Sequence, residues 1–104
     1  MSEITLPESF SGVHFHFVGI KGTGMVALVE ILSARGALIT GSDVSERFYT
    51  DEVLEKLGIK ALPFSEKNVT ESVQFVIYSS AYSVEKNPDL IQAKKLGLPM
   101  MLYS

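Results

Sequence analysis

Val18-Gly19-Ile20-Lys21-Gly22-Thr23-Gly24-Met25 is the stretch that decides how this chain folds. An apolar, β-prone run, His14-Phe15-His16-Phe17-Val18, leads into it. A helical stripe of Met25, Leu28, Val29 and Leu32 leads out, and Gly36 stands where a helix-ending glycine belongs. Strand, glycine turn and helix in that order is the setting in which a glycine-rich match carries meaning. Gly19 permits the sharp turn, and Gly24 lets the helix pack closely on the strand. The free N–H groups at the start of the helix can point at a phosphate, and the helix dipole adds about 0.3–1 kcal/mol for an anion there. Lys21 stands where the dinucleotide fingerprint G-x-G-x-x-G has its middle glycine. A lysine in left-handed backbone costs on the order of 1–2 kcal/mol. Its ammonium either reaches a phosphate, a charged hydrogen bond of roughly 1.5–3 kcal/mol, or stands solvated in a loop.

Outward from the turn, short apolar runs alternate with helical patterns. Ala37 to Thr40 reads as a second strand ending in Gly41-Ser42-Asp43. A helix is expected from Thr50 as N-cap, with Asp51 and Glu52 at its positive end, Val53, Leu54 and Leu57 inside, and Gly58 as stop. Ile59 to Leu62 reads as a short third strand, and Phe75 to Tyr78 as a fourth. Glu66 to Glu71 fits no single pattern. Asn87-Pro88 reads as N-cap and first helical residue, Gly97 as the stop, and Met100 to Leu102 as a fifth strand. The rhythm predicts an α/β, doubly wound (Rossmann-like) parallel five-stranded sheet of order 3-2-1-4-5, with helices on both faces.

In that order the first and fourth strands are neighbours whose connections leave in opposite directions. Ligands bind in the crevice at such a switch point. The Gly19–Gly24 turn and the Ser79-Ser80-Ala81 strand end therefore flank one crevice. Asp43 lies about 20 residues beyond the turn, where dinucleotide-binding proteins place the acid that holds a ribose. It and Ser42 read equally as turn residues. Phe48, Tyr49, Tyr78 and Tyr82 can stack on a base or simply pack. His14 and His16 share one strand face without a carboxylate partner in reach of the motif, which favours a structural role over a metal site.

The 104 residues suffice for one domain and carry a formal net charge of −3, against a broad nucleic-acid-binding face. Without cysteine there are no disulfides or thiolate metal sites, as in a cytosolic protein. No apolar run is long enough to span a bilayer, and Met1 to Phe10 lacks the pattern of a secretory signal. With the last strand running to Ser104, the chain reads as the front piece of something longer.

Several blocks in series now resemble the N-terminal domain of the Mur ligases. They are His16-Phe17-Val18-Gly19-Ile20, Gly22-Thr23-Gly24-Met25, Gly41-Ser42-Asp43, Tyr78-Ser79-Ser80-Ala81 and Asn87-Pro88-Asp89-Leu90. The Ser-Ser-Ala block is nearer to the alanine-adding members than to the tripeptide-recycling ones. The resemblance runs from about His14 to Leu102 and implies that residues 1–104 form one domain of a three-domain ligase. It implies binding of the UDP part of UDP-N-acetylmuramate, with the central and C-terminal domains of the parent as partners. ATP and Mg2+ are expected in the full-length parent, where ATP phosphorylates the substrate carboxylate during cytoplasmic peptidoglycan synthesis. By position, Gly19, Lys21, Gly22, Thr23, Gly24 and Met25 would face the pyrophosphate, Ser42 and Asp43 the uridine, and Ser79, Ser80 and Ala81 the other wall. No Gly-Lys dipeptide occurs in the chain, so the P-loop is missing and this domain alone is expected to be inactive. Two positions depart from the pattern: Lys21 stands where most relatives have glycine, and Pro63-Phe64 where they usually carry a Gly-His pair. A nicotinamide-dinucleotide domain of a dehydrogenase or redox-sensing regulator is the competing reading, and a non-catalytic nucleotide-sensing module a third.

Overall fold

The computed structural model describes residues 9–103. Most of the stretch read for a secretory signal, and Ser104, lie outside the described residues. Strands β1 (His14–Val18), β2 (Leu38–Ser42), β3 (Phe75–Ser79) and β4 (Met100–Tyr103) alternate with helices α1 (Thr23–Ala34), α2 (Thr50–Lys56) and α3 (Pro88–Lys95). A single 3₁₀ turn, Glu66–Asn68, resolves the ambiguous stretch before β3. The strands form one parallel sheet of order β2-β1-β3-β4.

The expected third strand, Ile59 to Leu62, is not formed, so the sheet has four strands and not five, while the expected last strand is present as β4. Within Ile59 to Leu62, only Leu62 bridges to Ser42, in parallel sense. Its N–H donates to the Gly41 carbonyl and its carbonyl accepts from Asp43, both at 2.9 Å. Pro63 follows at once and has no N–H to extend a ladder. The segment therefore touches the β2 edge where the order 3-2-1-4-5 puts it, then leaves. A second correction concerns α2. Thr50 is its first residue, not its cap, and the Thr50 hydroxyl donates to the Lys21 carbonyl at 2.7 Å. Asp51 instead reaches back to accept from the Phe48 N–H at 2.8 Å. Asn87 does cap α3, accepting from the amides of Asp89 and Leu90.

Alternation along the strands sends apolar side chains both ways. Phe15, Phe17, Ile39 and Ile77 pack with Met25, Val26, Val29 and Leu32 of α1 and Leu54 of α2. Val18 and Val76 pack with Val69, Val73, and Leu90 and Ala93 of α3. β1 is buried along its whole length, as a central parallel strand must be. Burying a side chain such as Phe17 is worth about 1.5–3 kcal/mol. β4, an outer strand, leaves Met101, Leu102 and Tyr103 substantially exposed.

His14 and His16 lie on the α3 face and are tied into a polar chain. The Thr40 hydroxyl sits 2.8 Å from both His14 Nε2 and His16 Nδ1. Having one proton, it donates to one ring and accepts from the other. His16 Nε2–H donates to Asp89 at 2.8 Å, with both side chains fully buried. Asp89 also accepts from the Asn68 amide and the Ser65 N–H. Burial alone would raise the Asp89 carboxyl. The bonds from His16 and Asn68 outweigh that and hold it below its ordinary value. Among the described residues no cluster of three His, Cys, Asp or Glu side chains could hold a metal ion, and no helix is long and apolar enough to cross a membrane.

Two outcomes are expected. A Cβ at Gly41 would collide with the Ile20 side chain, approaching its Cβ to 2.8 Å. Gly41→Ala should therefore lower unfolding free energy by about 1–3 kcal/mol, read from urea melts. His14, held below the ordinary imidazole value of 6.5 by burial and by the nearby His16, is protonated first in the unfolded chain. Its contribution is complete above 6.5 and is lost as the pH falls through that value toward the lower folded one. The urea midpoint should drop as the pH is taken from above 6.5 to below it, and His14→Gln should flatten that drop.

Candidate functional site

The turn after β1 is built by satisfying its backbone one amide at a time. Gly19 N–H and Ile20 N–H both donate to the Ser42 carbonyl, at 2.9 and 3.2 Å. Lys21 N–H donates to Asp43 Oδ2 at 2.8 Å, and Gly22 N–H turns back to the Gly19 carbonyl at 3.2 Å. Gly19 adopts φ +88°, a left-handed conformation that a side chain disfavours. Lys21 does not: no residue but glycine has positive φ among the described residues, so a lysine at this position carries no left-handed strain. α1 begins at Thr23. The first N–H groups of a helix have no partner within it, and at α1 no side chain caps the end and no acidic residue stands in the first turn.

Lys21 is not a solvated loop residue, one of its two expected roles. It is buried, and its ammonium donates to the Glu46 carbonyl at 2.8 Å and pairs with Asp51 at 3.2 Å. It also lies 5.8 Å from the Phe48 ring centre. Partial burial pushes the Asp51 carboxyl up, but the Phe48 N–H and the Lys21 ammonium hold it below the usual carboxylate range. Lys21 thus fastens the β2–α2 loop to the glycine turn. Arg47 forks onto Glu55 at 2.9 Å on the outside of the same loop, and the Tyr49 hydroxyl lies 2.9 Å from Thr23 Oγ1 across the start of α1.

A cleft of about 320 Å³ opens at this edge of the sheet. Its floor is Gly19, Lys21, Gly22 and Thr23. One wall is the β2–α2 side, with Asp43, Phe48 and Tyr49. The other is the β3–α3 side, with Ser79, Ala81 and Tyr82. Asp43 is 7% exposed, and its carboxylate accepts from Lys21 N–H, from Val44 N–H at 2.7 Å and from the Tyr82 hydroxyl at 3.1 Å. Burial, then the Asp43 charge, push the Tyr82 phenol up to about 12. Tyr82 also stacks obliquely on Phe64, with ring centres 4.9 Å apart. A second cleft of about 300 Å³, reaching Ala61, Leu62 and Pro63, adjoins across Lys21 and Asp43.

Of the residues singled out from the sequence, Gly19, Lys21, Gly22, Thr23, Asp43, Ser79 and Ala81 come together in the cleft. Gly24, Met25, Ser42 and Ser80 do not line it. Gly24 lies under the Tyr103 ring, to which an added Cβ would come within 2.8 Å. Met25 is in the core. The Ser42 side chain is fully buried and turned to the Asp89 side, where it helps hold that carboxyl low, and only its carbonyl serves the turn. Ser80 is exposed at the loop tip. The sequence pattern carries no sign of Thr50 as a tie to the turn, of the pairing of Tyr82 with Asp43, or of Lys21 as a clamp. Each contact joins residues distant in the chain.

Known proteins share this architecture. The model of the "Mur ligase family, catalytic domain" matches residues 14–104. The chain is 47% identical over 104 residues to UDP-N-acetylmuramate–L-alanine ligase of Treponema pallidum, covering 99% of this chain and 22% of that protein. It is 49% identical over 92 residues to the enzyme of the same name from Desulfitobacterium hafniense, covering 88% of this chain and 20% of that protein. The crystal structure of UDP-N-acetylmuramate:L-alanyl-gamma-D-glutamyl-meso-diaminopimelate ligase from Neisseria meningitides superposes with a TM-score of 0.74 at 25% identity, over 88% of this chain and 29% of that one. The chain spans about a fifth of the length of the curated relatives it matches. A glycine turn at the switch point of a parallel sheet, the shared architecture and a family match over nearly the whole chain agree: the chain belongs to the Mur ligase family.

Proposed function

We propose that this domain binds the UDP part of UDP-N-acetylmuramate, as the N-terminal domain of an ATP-dependent UDP-N-acetylmuramate–L-alanine ligase of cytoplasmic peptidoglycan synthesis. The observation that carries the reading is the uncapped start of α1, set at the switch point between two walls rich in hydroxyl, carboxylate and aromatic groups. The amides of Thr23, Gly24 and Met25 meet the pyrophosphate, helped by the helix dipole. Gly22 matters for what it lacks: at φ −62° it does not need glycine's backbone freedom, but a side chain there would stand in the phosphate's place. Asp43 receives a ribose hydroxyl, and Phe48 and Tyr49 offer ring faces to the base. Ser79 and Ala81 form the far wall, with Ser80 exposed at the tip of the same loop. Lys21 and Ser42 act from below, by holding the loop and the turn in place.

ATP and Mg2+ belong to the parent's other domains in this reading. The chain holds no Gly-Lys dipeptide and, among the described residues, no acidic cluster for a metal, so no phosphoryl step is assigned to its residues. The domain supplies binding and orientation of one substrate. The names of the two curated relatives support the alanine-adding branch.

Titration of amide resonances with UDP-N-acetylmuramate, UDP and NAD tests the reading. Shifts at Gly22, Thr23, Gly24 and Asp43 are expected with the two uridine ligands and not with NAD; shifts with NAD alone would replace this reading with the dinucleotide one. Gly22→Val should weaken UDP binding at least about tenfold, roughly 1.4 kcal/mol, with the thermal midpoint nearly unchanged. The nearest atoms its Cβ would meet are those of the Met25 side chain and the Gly19 carbonyl, no closer than an ordinary 3.4 Å. Undiminished UDP affinity in folded Gly22→Val would remove this turn as the phosphate site.

A further inference from the structure

Tyr82 bridges the crevice. It leaves the β3 side, crosses the glycine turn and donates its hydroxyl to Asp43 on the β2 side at 3.1 Å. Its ring lies so close over Gly19 that a Cβ there would come within 2.9 Å of it, and Phe64 backs the ring from another side. The glycine is therefore required twice, for its backbone and for the seat it gives this ring. The phenol, pushed up to about 12, is a protonated donor throughout the neutral range.

The three hydrogen bonds on Asp43 differ in kind. Those from Lys21 N–H and Val44 N–H are backbone bonds fixed by the turn and the strand end. The one from Tyr82 comes from a half-buried side-chain hydroxyl that lines the cleft and belongs to no turn or strand. A ligand hydroxyl seeking this carboxylate can exchange with one partner without unmaking the fold, and that partner is Tyr82.

Resting on the UDP reading above, we propose that Tyr82 is a selectivity-determining residue of the cleft: its phenol occupies Asp43 Oδ1 in place of a sugar hydroxyl and yields that position when a ribose arrives. The exchange trades one hydroxyl for another on the same oxygen. A ligand with ribose hydroxyls displaces the phenol and recovers its bond. A ligand without them leaves the phenol where it is. The phenol thereby sets how much a ribose hydroxyl adds to binding: with Tyr82 in place, the sugar gains only the difference between its own bond to Asp43 and the one it displaces.

The test is calorimetric titration of the intact chain and its Tyr82→Phe variant with UDP and with 2′,3′-dideoxy-UDP. Phenylalanine keeps the ring against Gly19 and Phe64 and removes the competing hydroxyl. UDP should bind Tyr82→Phe more tightly than wild type, by roughly three- to tenfold, while dideoxy-UDP binds both alike. The Tyr82 Cζ resonance of the wild-type chain should move on adding UDP and stay with dideoxy-UDP. A tyrosine that merely packs the site would give the opposite sign: equal or weaker UDP binding in Tyr82→Phe, with no distinction between the ligands. That result overturns the role of Tyr82 and leaves the UDP reading standing. Absence of UDP binding by both chains overturns both.

Discussion

The edge of the sheet that carries the cleft depends on the Asp43 carboxylate. The turn after β1 presents consecutive amides with no ladder to join. Two find the Ser42 carbonyl, one finds Asp43, and one folds back on Gly19. An amide buried without a partner costs about 1–3 kcal/mol, so the acid at the end of β2 is what lets Lys21 sit where it does. Its second oxygen then fixes the start of the β2–α2 loop and receives the far wall through Tyr82. Three loops from three strands meet on one side chain. The next amides, at the start of α1, are the first that the fold itself does not claim.

That division of labour explains which features were legible in the sequence. The strand–turn–helix unit was readable because β1, α1 and the intervening glycines each carry a local signal, and β1 falls on His14–Val18 as expected. Asn87-Pro88 was readable for the same reason: cap chemistry is settled within three residues. Ile59 to Leu62 misled because a β-prone composition says nothing of whether a proline follows soon enough to end pairing. The clamp role of Lys21 was not legible because its partners, Glu46 and Asp51, lie far along the chain and leave no periodic trace. Within the cleft, the residues that line it directly followed the topology. Met25 and Ser42 belong to the same motifs but face the packing beneath, and Gly24 is exposed beside the Tyr103 ring. A motif marks a neighbourhood, while the direction of each side chain comes from the helix and strand phases that only the assembled sheet fixes.

The two faces of the sheet solve different problems. The α1–α2 face is an apolar core, while the α3 face is threaded by Thr40, both histidines and Asp89. Buried polar groups are tolerable only when every member finds a partner. Asp89 achieves this by gathering His16, Asn68 and the Ser65 N–H, so the sequence between α2 and β3, which has little regular structure, is pinned onto α3. Phe64, beside Ser65, is held where it can back Tyr82. The relay on one face of the sheet and the wall of the cleft are thus mechanically continuous.

β1 sits at the centre of the sheet, and both of its neighbours come from later in the chain. His16 reaches Thr40 across 24 residues, and His14 bonds to Gln74 across 60. No pair of strands can form as a hairpin, and the central strand waits for a distant segment to complete its ladder. High contact order of this kind slows folding relative to helical bundles of similar size, because loop-closure entropy is spent before the pairing repays it. During synthesis β1 emerges first and finds its last partner only after most of this domain has been made. Until then its apolar inner face has first α1 and then β2 and α2 to lie against. The glycine turn thus also serves assembly, by bringing that helix back onto the strand early.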